Sequence, residues 1–243
     1  AVGARARVAA AHDGSRGPAY GHDLAAMQTL VGAATRLVFI ANPNNPTGTW
    51  LQSAALEDFI AALPAHVIVV VDEAYFEYVE QPDYPDTSTW LQRFPNLVVT
   101  RTFSKAYGLA GLRVGYALSH PEVAGLLNRV RQPFNVNMAA QAAALAALDD
   151  SAHLQESVRR NREGMQQLEA GFARLGLDWI PSAGNFVTVD TGRTAAEVYA
   201  ALLQQGIIAR PVANYGMPNH LRVTVGRADE NARFLASLQA ALT

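Results

Sequence analysis

The uninterrupted β-branched run Val67, Ile68, Val69, Val70 and Val71 constrains the fold of this chain more than any other stretch. Such side chains are stiff at χ1 and sit well on a pleated surface. A run without polar alternation is the pattern of a parallel strand covered on both faces, and it is far too short to cross a bilayer. Residues 36–41 form a second apolar stretch, read as a buried strand. Between the two, Leu56, Phe59, Ile60 and Leu63 recur at i, i+3, i+4 and i+7, one face of a helix that Pro64 stops. Strand, helix, strand is a βαβ unit, whose crossover should be right-handed. Two Asn-Pro pairs and Gly48 within residues 42–48 predict a turn after the first strand.

With 243 residues the chain can bury a sizeable core in one large domain or two smaller ones. Half the residues are hydrophobic and 16% are charged, the balance of a folded globular protein. A formal net charge of -2 provides no basic field for nucleic acid or an anionic membrane surface, so neither is expected as a partner. The absence of cysteine excludes disulfides, thiolate catalysis and cysteine-ligated metals, and suits the cytoplasm. Arg5 and Arg7 are followed by no apolar core, so no signal peptide is expected. The six histidines show no metal-ligand spacing, and no metal is expected; His220 alone stands close to a candidate binding residue.

The remaining pattern is mixed. Turn formers dominate residues 3–22, and residues 23–31 suit a short helix capped by Asp23. After the β-branched run come a polar loop with Pro82 and Pro85 and two short strands, residues 97–100 and 114–118. Helices are predicted over residues 121–131 and 137–148, the second rich in alanine. A longer helix is striped by Leu154, Val158, Met165, Leu168, Phe172 and Leu175. Residues 185–190 then read as a strand, 194–205 as a helix, and 206–210 and 220–226 as strands. In the last of these Leu221, Val223 and Val225 share one face and leave Arg222 on the other. Phe234, Leu238 and Leu242 stripe a final helix whose start Asp229 and Glu230 favour.

The chemistry concentrates between residues 101 and 113. A lysine on a loop at a strand end, Lys105, can form a Schiff base with a carbonyl. Thr102, Ser104 and Arg113 offer hydroxyl donors and a charge-assisted fork suited to a phosphate. Lysine plus phosphate clamp is what a pyridoxal-phosphate site requires, although the same stretch also reads as a glycine-containing surface loop. In open α/β sheets, ligands collect beyond the carboxyl ends of the strands. Here three such ends are polar: residues 45–48, 72–75 and 102–105. Asp72 against a pyridine nitrogen would keep it protonated, and Tyr75 and Asn45 can hydrogen-bond the ring's phenolic oxygen.

The ordered set Asn45, Pro46, Thr47, Gly48; Asp72 and Tyr75; Ser104 and Lys105; and Arg113 resembles the fold-type-I pyridoxal-phosphate aminotransferases, the aspartate aminotransferase superfamily. The resemblance implies that Lys105 carries the cofactor and acts as base and acid, and that Asp72 pairs with the pyridine nitrogen. It places Asn45 and Tyr75 on the phenolic oxygen and Thr102, Ser104 and Arg113 on the phosphate. Residues 210–226 resemble the histidinol-phosphate branch, in which Arg222, assisted by Arg210, would bind the substrate, with Asn45 beside it.

The implied fold is α/β. A large domain with a mostly parallel sheet spans residues 1–135; connecting helices and a small C-terminal α/β domain span 136–243. The implied activity is amino transfer between histidinol phosphate, or imidazole-acetol phosphate, and glutamate or 2-oxoglutarate, in a cytoplasmic homodimer. An aromatic or broad-specificity aminotransferase, or a phosphothreonine decarboxylase, would carry nearly the same cofactor ligands. A ligand-sensing module of a transcription regulator is the reading from another class. Relatives carry a substantial portion before the segment matching residue 1, including a further glycine-containing phosphate loop and an aromatic that stacks on the ring. The chain is therefore expected to be N-terminally incomplete.

Overall fold

The computed structural model describes residues 3–15 and 17–243. Ala1, Val2 and Arg16, the last of them within the predicted turn-rich stretch, lie outside the described residues. Helix α1 (Leu24–Leu30) is capped by Asp23, whose carboxylate accepts from the amide of Ala26. Strand β1 (Leu37–Ala41), helix α2 (Ser53–Ala61) and strand β2 (Ile68–Asp72) form the expected βαβ unit. Strand β3 (Leu97–Thr102) continues two residues beyond the predicted stretch, and β4 (Gly115–Ser119) returns antiparallel to it. The sheet runs β1-β2-β3-β4, with parallel pairs β1·β2 and β2·β3.

One face of this sheet carries the core. Ile40, Val69, Val71, Leu97 and Val99 pack against Leu56, Phe59, Ile60 and Leu63 of the α2 segment. The opposite face corrects two expectations. Residues 36–41 are not a buried strand, since Leu37 and Phe39 are 53% and 68% exposed. Nor is β2 covered equally on both sides: Val69 and Val71 are buried, Ile68 and Val70 only half-buried. The reason is positional. β1 is the edge strand, and among the described residues nothing covers its outer face, so apolar composition alone does not decide burial.

Two 3₁₀ turns, Phe76–Tyr78 and Thr87–Trp90, occupy the polar loop after β2. Helix α3 (Pro121–Val130) starts on its proline, and α4 (Met138–Asp149) is capped by Asn137. Ala140 and Ala144 of α4 pack under Phe103 and Val114, beneath the loop after β3. Helix α5 (Ser151–Leu175) then runs across both halves of the molecule. Leu154 and Val158 near its start meet Tyr75, Tyr78 and Phe186, while Met165, Leu168 and Phe172 enter a second core.

That second core lies under an antiparallel sheet ordered β5-β6-β8-β7: Trp179–Ile180, Phe186–Asp190, His220–Thr224 and Arg210–Pro211. Helices α6 (Ala195–Gln204) and α7 (Ala228–Leu242) cover it. Residues 206–209, expected in a strand, are not in one. The amides of Gly206 and Ile207 bond back to the carbonyls of Leu203 and Leu202, the reciprocal pattern that closes a helix on a left-handed glycine. The chain joins the sheet only at Arg210. The short β5 was not expected at all.

Candidate active site

Side chains alternate along a strand, and this separates two sets of charges at the ends of β2 and β3. Asp72 and Thr102 share the face opposite α2, whereas Glu73 and Arg101 share the α2 face. Asp72 is exposed and accepts from the amide of Ala74 at 3.2 Å. Thr102 Oγ1 accepts from the amide of Ser104 at 3.0 Å, which bends the chain out of β3 into the lysine loop. At the far end of that loop Arg113 has φ 53°, in the left-handed region, and its exposed guanidinium donates to the carbonyl of Ala110 at 2.9 Å.

Lys105 sits over the ring of Tyr75, with Nζ 5.2 Å from the centroid. Burial lowers its pKa, the positive charges of Arg222 and Arg113 lower it further, and Asp72 opposes them. Tyr75 is pushed up by burial and by Asp72, while Arg222 and a hydrogen bond from Asn45 hold it down. Asn45 is the link to the second sheet: its Oδ1 accepts from Arg222 Nη1 at 2.6 Å. Arg222 lies on β8 directly opposite Arg210 of β7, and its guanidinium is 5.1 Å from the centre of the Phe186 ring. Burial, followed by Arg210, lowers the pKa of Arg222, against the pull of Tyr75. Its Nε is buried without a partner among the described residues.

Asn45, Asp72, Tyr75, Lys105, Arg113, Arg210 and Arg222 thus act on one another across the gap between the two sheets. Thr102 and Ser104 lie at its edge, bonded to each other. The gap is held by the turn after β1. Gly48 accepts from the amide of Ala183, and Thr188 donates to the carbonyl of Pro46, at 2.9 and 2.5 Å. His220 is 8% exposed, edge-on to Tyr20 and 3.9 Å from Asp190; burial lowers its pKa. The described residues contain no group of His, Asp and Glu fit to hold a metal, and no helix is long and apolar enough to cross a membrane.

Chemically, the arrangement offers an amine whose charge is disfavoured, a carboxylate beside it, two hydroxyls with an arginine, and a pair of opposed arginines. This donor set fits a small ring bearing an aldehyde and a phosphate, and Arg210 and Arg222 supply the charges for a second anion. The unpartnered Nε of Arg222 is the observation that most favours an anionic ligand there.

A buried cluster on the other face was not anticipated. Glu73, fully buried, accepts from Arg101 Nε and Nη2 at 2.9 and 2.7 Å and from Thr87 Oγ1 at 2.6 Å. Arg101 also reaches Asp86 at 2.6 Å and lies 3.4 Å from the centre of the Phe76 ring. Consecutive polar residues at the strand ends were the available signal: if Asp72 and Thr102 face a ligand, Glu73 and Arg101 must face inward and need each other.

Comparison with known proteins identifies the family. The model of the family "Aminotransferase class I and II" matches residues 5–238. The histidinol-phosphate aminotransferase 2 of Methylococcus capsulatus is 61% identical over 241 residues, covering 99% of this chain and 65% of that protein. The enzyme of the same name from Pseudomonas fluorescens (strain Pf0-1) is 61% identical over 242 residues, covering 64% of its length. The crystal structure of histidinol-phosphate aminotransferase from Sinorhizobium meliloti, in complex with pyridoxal-5'-phosphate, superposes with a TM-score of 0.84 at 35% identity. That match covers 90% of this chain and 61% of the other. The chain therefore spans less than two thirds of the length of these relatives, while the family model extends over nearly all of the chain itself. Taken with the lysine loop and its surroundings, that match makes this chain a member of the class I and II aminotransferase family.

Proposed function

We propose that this chain serves pyridoxal-phosphate-dependent amino transfer between histidinol phosphate, or its keto form imidazole-acetol phosphate, and glutamate or 2-oxoglutarate. The observation that carries the substrate is the direct cross-strand register of Arg210 and Arg222. Like charges opposite each other destabilise a sheet, and a doubly charged phosphate between them removes the repulsion and supplies the partner that Arg222 Nε lacks. The named relatives and the cofactor-bound neighbour support the same reading.

When bound, the cofactor supplies an aldehyde that condenses with amines and a protonated ring that accepts the electrons of a carbanion. The protein does the rest. Thr102, Ser104 and Arg113 bind the cofactor phosphate, and Asp72 holds the proton on the ring nitrogen. Asn45 and Tyr75 orient the ring through its phenolic oxygen. Lys105 anchors the aldehyde, and its lowered pKa leaves more of the amine neutral, as a base requires. Once released, its Nζ takes the proton from the nitrogen-bearing carbon of the amino donor and, in the second half-reaction, delivers one to the carbonyl carbon of the acceptor. Arg222 and Arg210 fix the substrate's anionic end at the Asn45 side of the gap.

The setting we propose is a cytoplasmic homodimer. The second copy covers the α3–α4 face, where Val130, Phe134 and Met138 are 79%, 96% and 85% exposed. Lys105→Ala is expected to abolish borohydride-reducible attachment of the cofactor, read by peptide mass mapping. A reducible adduct retained at this site would overturn the lysine assignment. Comparing amino donors in the first half-reaction tests the substrate: faster turnover of an aromatic amino acid or of threonine phosphate replaces histidinol phosphate in this reading.

A further inference from the structure

Resting on the reading of Asp72 and Lys105 as cofactor ligands, we infer that the buried Glu73–Arg101 pair is a positioning device that sets the distance between the Asp72 strand end and the lysine loop. The register of β2 with β3 ends at Asp72 opposite Thr100, and the last backbone bond runs from the amide of Glu73 to the carbonyl of Thr100. Beyond that point Arg101 and Thr102 extend past β2 with only β4 to pair with. The Arg101 fork on Glu73 ties the two strands where the backbone ladder stops. Each member of the pair adjoins a ligand in the chain, Glu73 following Asp72 and Arg101 preceding Thr102.

The cluster is built to be rigid. Glu73 has no exposed side-chain surface and Arg101 only 10%. The guanidinium is stacked on Phe76, and Thr87 and Asp86 bring the 3₁₀ turn Thr87–Trp90 onto the same pair. Arg101 Nε and Nη2 converge on the single oxygen Oε2, while Oε1 accepts from the hydroxyl of Thr87, so both oxygens of the buried carboxylate are held. The pair's side-chain hydrogen bonds go to each other, to Thr87 and to Asp86, none of them to Asp72, Thr102 or Lys105, and Arg101 otherwise borders a cavity shared with Tyr107 and Tyr116. The pair therefore acts through the backbone, on the placement of its neighbours.

The test uses the holoenzyme and the cofactor-free protein. Glu73→Gln keeps the volume but removes the charge, and is expected to weaken cofactor binding about tenfold or more. It should also shift the pH at which the visible absorbance of the bound cofactor titrates. Should Glu73→Gln fail to fold, the paired change Glu73→Gln with Arg101→Met removes both charges and leaves no buried ion unpaired. It should fold and show the same two losses. A second readout needs no cofactor: the pH dependence of Lys105 labelling by an amine reagent. In the variants that amine should titrate closer to an ordinary lysine.

If a folded variant keeps the wild-type cofactor affinity, absorbance titration and Lys105 labelling curve while losing only thermal stability, the pair is merely structural and the inference falls. If the wild type retains no cofactor yet the variants still shift the Lys105 curve, the proposed function falls and the positioning role stands.

Discussion

Arg222 is the residue on which the two halves of the site converge. It donates to Asn45 at the end of β1, feels Tyr75 at the end of β2, and stands opposite Arg210 on the neighbouring strand. A lysine there would keep the charge but lose the planar fork, since its ammonium is a flexible point charge. Arg222→Lys is expected to raise KM for histidinol phosphate about 30-fold, the equivalent of ~2 kcal/mol for one lost charge-assisted bond. Cofactor affinity should fall far less, because Thr102 ends β3 of the other sheet, Ser104, Lys105 and Arg113 lie in the loop after it, and the substituted lysine keeps the charge that acts on Lys105. Steady-state kinetics with a parallel cofactor titration separates the two. A variant with wild-type KM removes Arg222 from substrate binding.

Among the elements, the turn after β1 decides how closely the second sheet approaches the first. Gly48 has φ 76°, and a Cβ built there would lie 1.9 Å from Ser182 Oγ and 2.8 Å from Ser182 Cα. The first contact can be relieved by rotating a side chain, but the second is backbone. Gly48→Ala is expected to cost at least about 2 kcal/mol, from left-handed strain and the forced separation together, read as a lower urea midpoint. A second change, Ser182→Gly, should restore only part of that loss. Residue types announced this turn, with its Asn-Pro pairs and glycine, and the β-branched run announced β2. Their partners were not legible. β5 and β7 are each two residues long, and pairing with β6 and β8, not composition, makes them strands. The exposure of Leu37 and Phe39 depends on the place of β1 in the sheet, which apolar content does not encode. Asp72, Tyr75 and Lys105 could be picked out because polar groups at strand ends are few. The Glu73–Arg101 pair was legible only as a consequence of that choice, because its role depends on which face each residue occupies.

For the molecule as a whole, residues 126–148 on and between α3 and α4 carry seven of the large hydrophobic side chains exposed among the described residues. Leu126, Leu127 and Val130 on α3, Phe134 in the connection, and Met138, Leu145 and Leu148 on α4 are all exposed by 49% or more. Phe134 is held outward with φ 55°, an uncommon backbone state for a bulky residue. Exposed apolar side chains in this number along two consecutive helices mark an interaction site. The opposite face of α4, through Ala140 and Ala144, packs under Phe103, Leu109 and Leu112 of the lysine loop. One helix therefore carries the loop on its inner side and the proposed second copy on its outer side, so association and cofactor retention should rise and fall together. Phe134→Asp combined with Met138→Lys places charges on the exposed face and touches none of the inner contacts. Light scattering is expected to show the wild type at twice the chain mass and this variant at the single-chain mass, with unchanged far-UV circular dichroism. The dissociated variant should also release cofactor faster on gel filtration, because the outer support of α4 is gone. A wild type that stays at single-chain mass at micromolar concentration rejects the second copy as the occupant of this face; a variant that dissociates yet retains cofactor as tightly rejects the coupling alone.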